Sequence, residues 1–244
     1  MSEQVALITG AAGGFGRALT ETLTGRGARV VACDVDEAAG AELADATGAL
    51  FVACDVSEIE QNEAAVAVAV EEFGGLDLAF LNAGVAFGTQ LGPDFDPLAY
   101  RRAMGVNIDG VVYGVNSVLP ALKARGGGSI IATASLAGLT PVPMDPVYAA
   151  NKHAVVGLVR SLGPILAMDG IRINALCPGF AETAIIGPIR ELLLSQGMPI
   201  IPVQDVIDTI LEIFDGEGTG ECWFVQAGRE SQPFNFRNIP GPRD

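Results

Sequence analysis

Short apolar runs recur along the chain, each followed by a longer stretch whose apolar positions fall three or four residues apart. The runs cover residues 5–9, 29–34, 50–54, 76–81, 129–133, 171–177 and 222–225. They are continuously apolar rather than alternating, which predicts strands buried on both faces, and the stretches between them suit crossover helices. Strand and helix in alternation predict an α/β fold: one Rossmann-type, doubly wound parallel sheet of about seven strands, with helices on both faces and right-handed crossovers. Ser57 followed by Glu60 predicts a capping box opening a helix that runs to Phe73 and ends at Gly74-Gly75. Two longer helices are predicted over about 97–123, with a break near Gly105, and over about 146–168. The tail over 227–244 holds too much Pro, Gly and Asn for a helix and is expected to lie over a surface. Its Phe234 and Phe236 would be held by their own domain, a neighbouring subunit or a substrate cleft.

Composition narrows the picture. Half of the 244 residues are hydrophobic and only 6% are aromatic, so Ala, Val, Leu and Ile must build the core, and a single domain over 1–244 is expected. A formal charge of −15 argues against nucleic acid or anionic membrane as partner, since both attract Lys and Arg. No apolar run approaches the roughly 18 residues needed to span a bilayer, and no basic leader with a cleavage site precedes the first strand, which leads us to expect a cytoplasmic protein. Cys33, Cys54, Cys177 and Cys222 stand singly and the chain has one histidine, so buried reduced thiols are expected and no metal site.

Candidate chemistry begins where the first strand ends. Thr9-Gly10-Ala11-Ala12-Gly13-Gly14-Phe15-Gly16 puts glycines where a tight turn would let backbone amides approach a pyrophosphate at a helix N-terminus. Gly10, Gly14, Phe15 and Gly16 are therefore candidate dinucleotide contacts; the absence of a Gly-Lys-Ser/Thr ending disfavours a P-loop kinase or ATPase. Asp34 ends the second strand, where a carboxylate would accept from the adenosine ribose hydroxyls and repel a 2′-phosphate, selecting NAD; a plain turn residue is the other reading. Asp55, with Val56 beside it, ends the third strand and would accept from the adenine amino group or cap the next helix.

Tyr148 and Lys152 stand at i, i+4, which places them on one face of a helix, ammonium near phenol. A free tyrosine has a pKa near 10, so acid/base work around pH 7 asks for a shift worth roughly 4 kcal/mol, to which a lysine and a positive nicotinamide ring would contribute. Ser135 lies just past a buried strand, where its hydroxyl could hold the reacting oxygen against Tyr148. His153 follows Lys152 on the same helix and points about 100° away, which argues against a Ser-His-Asp hydrolase.

Thr9-Gly-x-x-x-Gly-x-Gly16, Asn82-Ala83-Gly84, Asn107, Ser135, Tyr148-x-x-x-Lys152 and Pro178-Gly179 together resemble the short-chain dehydrogenase/reductase family over nearly the whole chain. The resemblance implies Tyr148 as acid/base, with Lys152 lowering its pKa and binding the nicotinamide ribose, and Ser135 orienting the substrate oxygen. It also implies that Asn107 holds a water on a proton path from Lys152, that Asn82, Ala83 and Gly84 line the cofactor, and that Pro178, Gly179 and Thr183 meet the carboxamide. Leu81 and Ala134 depart from residues common in the family, as does Gln226-Ala227-Gly228 near the end. A homotetramer built on the two long helices, or a dimer, is implied too.

The stretch over about 183–200 is apolar and broken by Gly187 and Pro188, which fits either a short cover over a hydrophobic cleft with Val142, Pro143 and Met144, or a helix pair packed on the core. The expected activity is hydride transfer between NAD(H) and a lipophilic secondary alcohol or ketone. An NADP-dependent carbonyl reductase, an NAD-using epimerase or dehydratase, and a non-catalytic NAD-binding regulator are the alternatives.

Overall fold

A computed structural model describes residues 4–86 and 91–237. In chain order the elements are β1 (Val5–Thr9), α1 (Gly14–Gly25), β2 (Arg29–Asp34), α2 (Glu37–Thr47), β3 (Leu50–Ala53), α3 (Ile59–Phe73) and β4 (Leu78–Leu81). Then come α4 (Pro97–Met104), α5 (Gly110–Arg125), β5 (Gly128–Thr133), α6 (Pro146–Leu166), β6 (Ile171–Pro178), α7 (Arg190–Ser195), α8 (Val203–Asp215), β7 (Cys222–Val225) and β8 (Gln232–Pro233).

The strands form one sheet in the order β3-β2-β1-β4-β5-β6-β7-β8. β1 to β7 pair in parallel, as the unbroken apolar runs predict, and β8 alone runs antiparallel, against β7. Successive strand residues feed opposite layers. Leu7, Val31, Ala79, Leu81 and Ile130 face α3, α5 and α6, whereas Ala6, Ile8, Val30, Phe80 and Ile131 face α1 and α8. The sheet is therefore dry on both sides, and the polar chemistry is left to its ends. After β3 the chain returns to the other side of β1, so the loops following β1 and β4 leave the sheet in opposite directions and open a crevice between them.

Several expectations need correction. Ser57 does not cap α3. Its amide and hydroxyl both donate to Asp55 Oδ1, at 3.0 and 2.7 Å, because a carboxylate two residues back outcompetes the helix for them. The helix begins at Ile59 with no side-chain cap and ends, as expected, at a left-handed Gly74. β4 starts at Leu78 rather than Leu76, since Asp77 turns its carboxylate to the Val5 amide and to Arg125. The expected break near Gly105 is a turn of π-helix over Gly105–Asp109. The tail lies on its own domain as far as residue 237, its remainder falling outside the described residues: Phe234 N–H donates to Cys222 O at 2.7 Å, Phe236 stacks edge-on with Phe234, and the Arg160 guanidinium covers the Phe236 ring at 3.7 Å. The four cysteines are buried and unpaired, with burial pushing the Cys54 thiol up to about 11.

Candidate active site

The residues singled out by sequence gather at the C-terminal ends of the parallel strands. Gly10 follows β1 with φ +63°, a left-handed conformation that glycine adopts without strain. A Cβ on Gly16 would lie 2.1 Å from the Gly10 carbonyl oxygen, so α1 can start this close to the end of β1 only with glycine there. Gly13 precedes α1 with no side-chain cap, no acidic residue enters the first turn, and a Cβ on Gly13 would meet nothing within 4 Å. The helix start thus offers backbone donors to open space, and a pyrophosphate fits it. Asp34 accepts the Ala12 amide on Oδ2 at 2.8 Å and the Asp36 amide on Oδ1 at 3.0 Å. It is a turn residue, and each oxygen keeps a further lone pair with which to accept. Arg17 also reaches this loop, donating to the Ala12 carbonyl at 3.3 Å, but its guanidinium is held by Glu42 at 3.2 Å.

Asn82 ties three strand ends together. Its amide donates to Thr9 Oγ1 at 2.9 Å, its Nδ2 donates to the Thr9 carbonyl at 3.1 Å, and its Oδ1 accepts from the Thr133 hydroxyl at 3.2 Å. Ala83 N–H shares the Thr9 hydroxyl, and a Cβ on Gly84 would sit 3.3 Å from Asn107 Oδ1 and 3.8 Å from Lys152 Nζ. Asn107 is fully buried in the π turn. Its side chain accepts from Val85 N–H at 2.9 Å and donates to Val85 O at 3.1 Å. The side-chain amide is thus engaged with Val85.

On α6 the Lys152 ammonium lies 5.7 Å from the centre of the Tyr148 ring and donates to the Thr133 carbonyl at 2.9 Å. Lys152 is only 4% exposed, and burial pulls its pKa down to about 8. The Tyr148 phenol moves in the opposite sense to Lys152. Burial raises its pKa above 10, the Ser135 hydroxyl pulls it back, and the charge of Asp145 adds to the rise. Ser135 stands extended before a short 3-10 turn, Leu136–Gly138, with its Oγ accepting from Ala137 N–H at 3.1 Å and facing the Pro178 carbonyl at 3.4 Å. That turn sits directly on α6, since a Cβ on Gly138 would lie 2.6 Å from the Lys152 carbonyl oxygen. Ser135, Tyr148 and Lys152 are therefore one cluster, as expected. Thr133, Val85 and Asp145 belong to it too and went unnoticed in the sequence; only Asp145-Pro146, an N-cap and N1 pair, carried a readable signal.

Asp55 holds Ser57, and the Val56 side chain turns inward against Gly110, leaving only its backbone toward the strand end. Pro178 ends β6, Gly179 N–H donates to Val225 O at 2.9 Å, and Thr183 comes within contact of Gly14, where a Cβ would meet its Cγ2 at 3.4 Å. The ends of β1 and β6 thus converge over the crevice. His153 is exposed and its Nδ1 bonds Ala149 O at 2.8 Å, away from the cluster. The stretch after Thr183 forms a 3-10 segment, Ala184–Ile189, followed by α7. Ile186 and Leu193 pack inward, while Ile185, Leu192 and Leu194 stay exposed. Its root is pinned by Ile201 N–H to Phe180 O at 2.7 Å and by an Arg190–Glu182 ion pair at 2.7 Å. A separate cavity of about 350 Å³ lies between α4, the π turn and the opposite side of α6, lined by Tyr100, Met104, Ile108, Val147 and Ala154 among others. Among the described residues no helix is long and apolar enough to cross a membrane, and no three His, Cys, Asp or Glu cluster as metal ligands would.

A doubly wound sheet whose strand ends carry a glycine turn, a Tyr-Lys pair and a serine defines an α/β oxidoreductase of the dinucleotide-binding class. A family model described as short chain dehydrogenase matches residues 4–193, and the chain belongs to that family. The chain is 36% identical over 204 residues to a cyclohexanol dehydrogenase of Acinetobacter sp. (strain SE19), covering 82% of this chain and 81% of that enzyme. It is 37% identical over 200 residues to 15-hydroxyprostaglandin dehydrogenase [NAD(+)] of Homo sapiens, covering 77% and 72%. Among solved structures, a 3-ketoacyl-(acyl-carrier-protein) reductase from Brucella melitensis complexed with NADH superposes with a TM-score of 0.86 at 31% identity, covering 94% of this chain and 99% of that one.

Proposed function

We propose that the protein interconverts a lipophilic secondary alcohol and its ketone with NAD(H), using Tyr148 as the general acid/base. The observation that carries this reading is the cluster of a buried Lys152 with half-buried Tyr148 and Ser135 at the strand ends, beside a glycine turn open to a pyrophosphate. NAD is favoured over NADP by the Asp34 carboxylate at the ribose side of that turn and by the engagement of Arg17 with Glu42. The loop Gly10–Gly16 would hold the pyrophosphate, with Phe15 at the helix start. Asp55 and the Val56 backbone would flank the adenine, and Asn82, Ala83 and Gly84 the ribose and ring. Pro178, Gly179 and Thr183 would meet the carboxamide.

In the oxidising direction Ser135 donates to the carbinol oxygen, and Tyr148 takes its proton as the carbon loses hydride. Bound NAD supplies the hydride acceptor and a positive ring. Burial alone keeps the phenol protonated, so its ionisation near neutral pH leans on that charge and on the Lys152 ammonium. Lys152 is itself oriented by the Thr133 carbonyl, and Asn107 braces Val85, which packs in the same apolar cluster as Tyr148.

The apolar residues Ile185, Leu192 and Leu194, with Met144 at 90% exposure, favour a lipophilic substrate under a cover formed by residues 183–200. A homotetramer is proposed on the faces of α5 and α6, where Ala150, Ala154 and Gly157 are exposed and would let helices of a second copy approach closely. The deciding experiment is a panel of secondary alcohols with NAD and NADP in parallel, together with Tyr148→Phe. The variant should lose roughly 10²- to 10⁴-fold in turnover while binding NADH almost unchanged. Turnover confined to small charged hydroxy acids would refute the substrate class, and a fully active Tyr148→Phe would refute the acid/base.

A further inference from the structure

Asp145 stands at the start of α6, half-buried, with its backbone amide donating to Val142 O at 3.1 Å and its carbonyl accepting from Ala149 N–H at 3.1 Å. Its side chain is the N-cap of the helix: Oδ1 accepts the backbone N–H of Tyr148 at 3.0 Å. A cap is ordinarily a stability device. Here the residue it grips is the proton carrier, so the bond that starts the helix also fixes where the phenol begins. A carboxylate caps no better than Asn or Ser, yet it alone brings a full negative charge onto the backbone amide of Tyr148. Around Tyr148, Ser135 approaches from the 3-10 turn, Lys152 from the next turn of α6, and Tyr100 of α4 from the apolar cluster it shares with Val85, Ala99, Ala103 and Val147. Among these described neighbours Lys152 is the cation and Asp145 the anion.

We propose that Asp145 is a positioning residue for the acid/base, seating Tyr148 through the cap and opposing its ionisation through charge, so that it sets the pH at which the phenol yields its proton. The electrostatics agree in sign: Asp145 raises the phenol's pKa, while partial burial raises that of Asp145 itself and the bond from Tyr148 N–H pulls it back. The inference rests on the reading of Tyr148 as acid/base. It implies that the protein is tuned to keep a proton on Tyr148, which suits carbonyl reduction near neutral pH and delays alcohol oxidation to higher pH.

The test is Asp145→Asn, which keeps the capping oxygen and removes the charge, with Asp145→Ser as a second charge-free cap and Asp145→Ala removing both. In NAD-saturated protein, the ultraviolet absorbance of phenolate, taken as the difference from Tyr148→Phe, reports the titration of Tyr148 without any substrate. Asp145→Asn and Asp145→Ser should melt with the wild type and titrate about half a pH unit lower, so that well below the midpoint the phenolate fraction rises about threefold. The low-pH limb of alcohol oxidation and the high-pH limb of ketone reduction should both move down by the same amount. Asp145→Ala should show that displacement together with a lower melting temperature. A purely structural role would change amplitudes and melting alone. Midpoints that coincide with or exceed the wild type in both charge-free caps, with Tyr148→Phe inactive, overturn this inference by itself. A Tyr148→Phe that retains turnover overturns the reading beneath it.

Discussion

Lys152 carries a charge that folding must take out of water, with one neutral carbonyl, that of Thr133, as its hydrogen-bond partner. Its pKa falls from 10.5 to about 8, a gap worth roughly 3 kcal/mol. The folded pKa is depressed, so between about 8 and 10.5 the unfolded chain binds more protons and stability rises with pH. Below about 8 both states hold the proton and the whole penalty stands. Lys152→Met is therefore expected to abolish turnover yet stabilise the fold by about 1–2 kcal/mol at pH 7, allowing for the lost bond to Thr133. Urea melts at pH 7 and pH 10 check this, since the gain should shrink at the higher value. The pair Tyr148 and Lys152 was legible because i, i+4 spacing fixes a shared helix face. Thr133 was not, because it acts through a backbone oxygen that every residue possesses, and the raised pKa of Tyr148 was hidden because burial is a property of the folded surroundings.

At the scale of elements, the serine reaches the tyrosine because a 3-10 turn lies against a helix with no side chain between them. Gly138 is the contact: a Cβ there would meet the Lys152 carbonyl oxygen at 2.6 Å and its carbon at 2.9 Å, both backbone atoms that cannot rotate away. Gly138→Ala is expected to cost about 1–3 kcal/mol and to lower turnover about ten- to a hundredfold by moving Ser135 off Tyr148. A thermal melt and a steady-state assay measure the two effects. The strands were legible since each parallel strand is an apolar run, Val5–Thr9 and Cys222–Val225 falling where predicted. The capping box failed at Ser57 because the pattern ignores a stronger acceptor two residues back. Gln232–Pro233 escaped notice because a two-residue edge strand has no hydrophobic signature.

Across the whole molecule, the tail binds together elements far apart in the chain. Ser231 pairs with Thr209 of α8 at 2.8 Å, Phe234 bonds to β7, and Phe236 lies beneath Arg160 of α6. Phe236→Ala removes a partly buried ring and its cation contact, and is expected to lower stability by about 1–2 kcal/mol with little change in turnover, as measured by denaturant melts.

β8 also changes what the sheet can do in company. By running against β7 it occupies donors and acceptors that would otherwise invite a foreign strand. The margin then passes to β8 itself, two residues long and half of it Pro233, which has no N–H to give, so a copy of the protein meeting that flank finds too short a template on which to extend a ribbon.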